Sequence, residues 1–173
     1  MWLFVSRYAA LRRELLDSKA SSDGRIDDRS LPYLQSVVKE GLRLIMPSPA
    51  RLPRIVSAGG LTAQGYHLPP GTNVGVGALQ LHLNPEVFPE PEQFLPERWE
   101  NPTPEMRRDW IPFGMGVRSC VGRGLSNVVI SEVMKAVVDS DLLAGARAVQ
   151  DRIEVKEWSI SKLKVGEILL AWG

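Results

Sequence analysis

Cys120 is the only cysteine among the 173 residues. It stands in Phe113-Gly114-Met115-Gly116-Val117-Arg118-Ser119-Cys120-Val121-Gly122, a glycine-rich stretch that opens a segment of helical periodicity. One thiol makes no intrachain disulfide, and His67 and His82 are too few to complete the usual ligand set of a structural zinc site. Three occupations remain: an inert core thiol, a nucleophile with His82 or His67 as base, or a single ligand to a group that brings its other ligands along. A core thiol needs apolar neighbours, whereas this one has glycines at 114, 116, 122 and 124 and a cation at 118. Without Cβ atoms the backbone can turn sharply and approach a flat partner closely. Arg118 and the positive end of the following helix both favour a sulfur anion, the form that binds metals and attacks electrophiles. The setting weighs toward the ligand.

The spacing of Phe113, Gly116, Arg118, Cys120 and Gly122 resembles the haem-binding loop of the cytochrome P450 haem-thiolate monooxygenases. Two further segments resemble the same family and occur in its order: Glu40-Gly41-Leu42-Arg43, like its Glu-x-x-Arg helix, and Pro96-Glu97-Arg98-Trp99, like its Pro-Glu-Arg-Trp/Phe segment. Between them, Asn84 to Phe94 is similar to the family's connecting meander. The wording of these segments is closer to eukaryotic, fungal members than to soluble bacterial ones.

This resemblance implies haem b as cofactor, with Cys120 as the axial iron ligand and Phe113, Gly116 and Gly122 shaping the loop around it. A thiolate pushes electron density toward the iron and favours O–O cleavage. Arg118 is implied to pair with one haem propionate and Arg54 with the other, Arg51 being the competing choice. His82 falls where many members place a histidine or a neighbouring cation near the haem edge; a buried or loop histidine without a task is the plainer account. Glu40 and Arg43, three apart on one helix, share a face, and the resemblance adds Arg98 to make a closed charge network behind the loop. Two cations on one carboxylate need further acceptors, expected to be carbonyls of the coil. The chain departs from the family pattern at Gly41, Leu83 and Val129, none of which touches the implied iron ligand.

Elements must hold these residues in place. Phe4, Tyr8, Leu11 and Leu15 recur at helical spacing, followed by a polar loop expected from Ser18 to Arg29. Ser30 is expected to cap a second helix, with Pro32 in its first turn and Leu34, Val37, Val38, Leu42 and Ile45 as its apolar stripe. Leu52 to Val56, Leu61 to Tyr66 and Asn73 to Ala78 suggest a small antiparallel sheet. Seven of the 13 prolines lie between Pro85 and Pro112, which rules out long regular elements there. After Cys120, Leu125, Val128, Val129, Val133, Ala136 and Val137 form one helical face, and Ile153 to Trp172 alternates like a terminal hairpin. The expected fold class is α+β, mainly α with small antiparallel sheets. By the resemblance it is the C-terminal, proximal-haem half of the cytochrome P450 fold, truncated, as a single partial domain over residues 1–173.

A formal net charge of +1 with interspersed signs gives no reason to expect a nucleic-acid partner. The apolar start breaks at Ser6-Arg7, so neither a signal peptide nor a membrane anchor is visible, and a cytoplasmic or cytoplasmic-side location is the expectation. Members of the resembled family are typically more than twice this long. Residues 1–29 contain no threonine to match the family's oxygen-activating helix. Two readings follow. In one, the chain is a monooxygenase oxidising a small organic substrate of secondary-metabolite type with electrons from a reductase. In the other, it is a truncated, inactive remnant, which predicts exposed apolar faces on its first two helices.

Overall fold

The computed structural model describes residues 5–21, 31–46, 48, 51–149, 155–156, 162–163 and 168–172. Helix α1 spans Tyr8–Ser21 and α2 spans Pro32–Ile45. Tyr8, Leu11 and Leu15 of α1 meet Leu34 and Val37 of α2 and Leu31 just before it, and Val138 and Leu143 close the cluster. The helical period thus places the expected stripes, but not their limits. Leu42 is half-buried and Ile45 exposed, while Glu40 and Arg43 occupy the buried face instead. Phe4 lies outside the described residues.

Two boundaries differ from the sequence expectation. Helix α1 continues through Ser18 to Ser21, where the Ser21 hydroxyl donates to the Asp17 carbonyl at 2.8 Å and Lys19 pairs with Asp139. A lysine in the last turn suits the negative end of the helix dipole, and the serine hydroxyl adds a second bond to a carbonyl of that turn. At the start of α2, Ser30 lies outside the described residues and Leu31 occupies the cap position without a side-chain bond. The cap comes from α1: Glu14 accepts the N–H of Tyr33 at 2.7 Å and of Leu34 at 2.9 Å. A carboxylate there satisfies two orphan donors and meets the positive end of the dipole.

The β segment forms two small antiparallel pairs rather than one sheet. Strand β1 (Arg51–Ile55) pairs with β4 (Asn73–Gly77), and β2 (Leu61–Ala63) pairs with β3 (Tyr66–Leu68). The expected Leu61 to Tyr66 strand is broken at Gln64-Gly65, both at positive φ, which folds it into a hairpin. Helix α3 (Ala78–His82) follows β4 directly. The proline-rich stretch holds only a 3₁₀ turn over Pro96–Trp99 and the short α4 (Pro104–Asp109), capped by the Thr103 hydroxyl, which accepts the Met106 N–H at 3.2 Å. Phe88, Trp99 and Met106 give this coil its own core, with Trp110 edge-on to Trp99 at 5.7 Å.

Helix α5 (Arg123–Asp139) follows the cysteine loop. Most of the apolar face expected there is the outer one in this structure: Leu125, Val128, Val129 and Val133 are each at least half exposed, and Ala136 is exposed too. Ser131 and Val138 are buried on the opposite side, with Met134 and Val137 against the first core. The helix is apolar on two sides, so periodicity does not choose between them. In the first two helices Tyr8, Leu11, Leu15, Leu34, Val37 and Val38 are buried, whereas Leu16 and Ile45 are about half exposed. Toward the C-terminus β5 (Ala146–Ala148) pairs with β8 (Leu170–Trp172), and β6 (Val155–Lys156) with β7 (Lys162–Leu163); the rest of the expected hairpin lies outside the described residues. The architecture is α+β with small antiparallel pairs, as the sequence suggests.

Candidate functional site

Glu40 and Arg43 are both 0% exposed, one turn apart on α2. Arg43 grips the carboxylate with two parallel bonds, Nε to Oε2 at 2.9 Å and Nη2 to Oε1 at 2.8 Å. Arg98 Nε donates to Oε1 at 3.1 Å, which closes the expected three-residue network. The carboxylate also accepts the Leu95 N–H at 3.1 Å and the Trp99 Nε1–H at 2.9 Å, two donors that motif reasoning did not supply. Burial by itself raises the Glu40 carboxyl; the hydrogen bonds and charge of Arg43, with the Leu95 and Trp99 bonds, outweigh it and lower the pKa.

The spare donors of the two arginines are taken up by the coil, as expected. Arg43 reaches the carbonyls of His82 and Pro91, both at 2.7 Å, and of Gln93 at 3.2 Å. Arg98 reaches those of Pro89 at 2.9 Å and Glu90 at 3.4 Å. A proline-rich segment cannot satisfy its own carbonyls through regular structure, so buried guanidinium groups hold it in place.

The cysteine loop sits beyond this scaffold. Gly114 and Gly116 have φ of +72° and +69°, the left-handed region where a side chain is strained, and the Cys120 N–H donates to Phe113 O at 2.8 Å to close the turn. Gly122 is different: its φ is ordinary, and a Cβ added there would lie 3.7 Å from Cys120 Sγ, in plain contact with the sulfur. Phe113 is half-buried, while Arg118 and Cys120 are exposed. On either side of the thiol, Val117 and Val121 are fully exposed. Arg54 comes to the loop from β1, its Nη2 donating to Met115 O at 3.4 Å. Arg51, on the other face of the strand, lies over Gly75.

His82 is completely buried and both ring nitrogens are engaged, Nδ1 with Arg43 O at 3.1 Å and Nε2 with the Ile111 N–H at 2.9 Å. Burial first, and the Arg43 charge after it, push its pKa down to about 4. It therefore has no free nitrogen to serve Cys120 as a base. His67 sits exposed in the β2–β3 hairpin.

A Cytochrome P450 family model matches residues 9–140. The chain belongs to the cytochrome P450 family. Among the curated relatives of this P450 chain, cytochrome P450 monooxygenase mfmF of Annulohypoxylon moriforme is 42% identical over 153 residues, 83% of this chain and 31% of that protein. Cytochrome P450 monooxygenase orf2 of Aspergillus niger is 48% identical over 98 residues, 57% of this chain and 20% of that protein. Fusicoccadiene C-8 hydroxylase of Alternaria brassicicola is 40% identical over 131 residues, 75% of this chain and 24% of that protein. The chain thus spans a third or less of the length of these fungal relatives. Its fold is similar to that of retinoic acid-bound cyanobacterial CYP120A1, with a TM-score of 0.72 and 22% identity over 98% of this chain and 40% of that one.

Membership of the family implies a haem cofactor, and the loop of this P450 chain suits one. The thiol is accessible, apolar side chains border it on both sides, and two exposed cations stand on the loop and at its margin. Among the described residues no three of His, Cys, Asp or Glu gather to hold a metal ion. Among the described residues no helix is long and apolar enough to cross a membrane.

Proposed function

We propose that this chain forms the proximal haem site of a cytochrome P450 monooxygenase, with the Cys120 thiolate as axial ligand of haem b. Bound there, haem supplies the oxygen-activating chemistry of the family. The residues of the chain position and anchor it: Gly114 and Gly116 turn the backbone so that Cys120 projects, and Val117 and Val121 offer apolar contact to a flat ring. Gly122 leaves the flank of the sulfur free of a side chain. Arg54 and Arg118 pair with the two propionates, and Phe113 packs the loop from inside. The Glu40–Arg43–Arg98 network holds the coil on which the loop rests. The protein of which these residues are part oxidises a small organic substrate, of the secondary-metabolite kind, with electrons from a reductase.

One observation carries this reading: an exposed thiol on a loop closed by the Cys120–Phe113 hydrogen bond, flanked by two fully exposed valines. A buried core cysteine would show neither feature. The test is the reduced carbon-monoxide difference spectrum of the purified chain with added haem. A thiolate-type band that disappears in Cys120→Ala supports the proposal. The same spectrum from Cys120→Ala as from the wild type overturns it.

A further inference from the structure

His82 stands between the charge network and the cysteine loop. Its Nε2 faces the Ile111 amide, which can only donate, so Nε2 must accept and Nδ1 must carry the proton that goes to Arg43 O. This fixes one neutral tautomer. From Ile111 the contacts run on into the loop: the Gly114 N–H donates to Ile111 O at 3.0 Å, and Phe113 O accepts the Cys120 N–H. Hydrogen bonds therefore lead from the backbone of α2, through one imidazole, to Ile111 and, across that residue and the Phe113–Gly114 peptide, to the backbone of Cys120. Side-chain packing around Ile111, by Met46 and Ala78, is apolar and non-directional. The imidazole is what gives the Ile111 amide a fixed partner.

We propose that His82 is a positioning residue for Cys120, setting the height and register of the cysteine loop on the Glu40–Arg43 helix through the Ile111 N–H. This rests on the reading of Cys120 as the haem ligand, and it assigns to His82 a role distinct from contact with haem. The groups facing the ring are Arg43 and Glu40 from α2 and Asp109 from the end of α4. A protonated ring would aim an N–H at the Ile111 N–H, so the clamp holds only while His82 is neutral.

Two substitutions separate the two bonds. In His82→Gln the amide oxygen reaches the ε position and can accept the Ile111 N–H; in His82→Asn the shorter amide reaches only the Arg43 side. Amide hydrogen exchange is measured on the haem-free chain at neutral pH, with alkylation of Cys120 by iodoacetamide as a second readout. His82→Asn is expected to exchange at Ile111 and Cys120 roughly tenfold faster than wild type, the effect of losing one buried hydrogen bond. Cys120 alkylation accelerates with it, α2 keeps its protection, and His82→Gln stays near wild type. A loop in His82→Asn as protected as in the wild type overturns the proposal. So does a folded His82→Gln whose loop is unprotected, or loss of protection in α2 and loop together in both variants. With haem added, His82→Asn is expected to lose part of the thiolate-type carbon-monoxide band and His82→Gln to keep it. A wild-type chain with no such band overturns the haem reading, while the haem-free exchange pattern still decides the clamp.

Discussion

The Trp99 indole N–H donates to Glu40 Oε2 at 2.9 Å, across 59 positions of sequence and inside a site where the carboxylate is fully buried. The same oxygen accepts Arg43 Nε. Through this one carboxylate the Pro96–Trp99 turn is joined to the α2 helix twice, once by the Arg98 ion pair and once by a neutral donor that salt does not screen. Around this carboxylate the coil between α3 and α4 is assembled.

Glu40→Ala is expected to cost on the order of 3–5 kcal/mol, because it leaves two guanidinium groups, one fully and one largely buried, without their counter-charge. For a domain whose whole stability is commonly about 5–15 kcal/mol, this is a large fraction. The variant should bind no haem in thiolate-ligated form and should show an early, broadened urea transition. Normal haem uptake by this variant would refute the structural role assigned to Glu40.

Acid should act in two stages. The folded His82 resists protonation down to about pH 4, while the unfolded histidine takes a proton near its usual value of 6.5. Between those values the unfolded chain binds more protons, so stability is fully present above the unfolded value and falls as pH drops through the window. The loss from this residue is on the order of 3 kcal/mol, at about 1.4 kcal/mol per pH unit. Glu40 acts lower: its carboxyl is depressed in the folded chain, so its contribution is present above the unfolded value of 4.5 and lost as pH falls below it. Urea midpoints measured from neutral pH to about pH 4 should fall steadily, and His82→Gln should flatten the upper part of that fall.

Two glycines should respond in opposite senses to alanine. Gly41 lies inside α2 with nothing within 4 Å of an added Cβ, so Gly41→Ala should stabilise the chain by about 0.5–1 kcal/mol through helix propensity. Gly116 also has open space, but its φ of +69° makes Gly116→Ala cost about 1–2 kcal/mol and distort the turn before Cys120. Thermal unfolding of both variants, measured in parallel, distinguishes the two effects. A stabilising Gly116→Ala would mean that the turn relaxes freely.

Glu14→Ala removes the side-chain cap that Tyr33 and Leu34 share at the start of α2, and the expected cost is about 1 kcal/mol, as for other N-cap losses. Because Tyr33 and Leu34 open the helix that carries Glu40, exchange at their amides should speed up well before the global transition. Glu14→Gln, which keeps an acceptor oxygen, should recover part of the loss.

Elements with a local cause were legible along the chain. Helical period located α1 and α2, the prolines from Pro85 to Pro112 excluded long elements, and the three-residue spacing of Glu40 and Arg43 put them on one face. The glycine register around Cys120 marked a turn that side chains do not tolerate, and the structure finds Gly114 and Gly116 at positive φ. Family likeness in contiguous motifs added Arg98 to the network. Which side of α5 is covered was settled by packing in three dimensions, since that helix carries apolar residues on both sides and its period is satisfied either way. The same packing makes Glu14 the cap of α2, brings Trp99 and Leu95 to Glu40, and turns His82 into a buried bridge rather than a base. Those bonds join residues far apart in sequence; spacing along the chain fixes the direction of a side chain on its own element, whereas its partner depends on how the intervening coil is folded back.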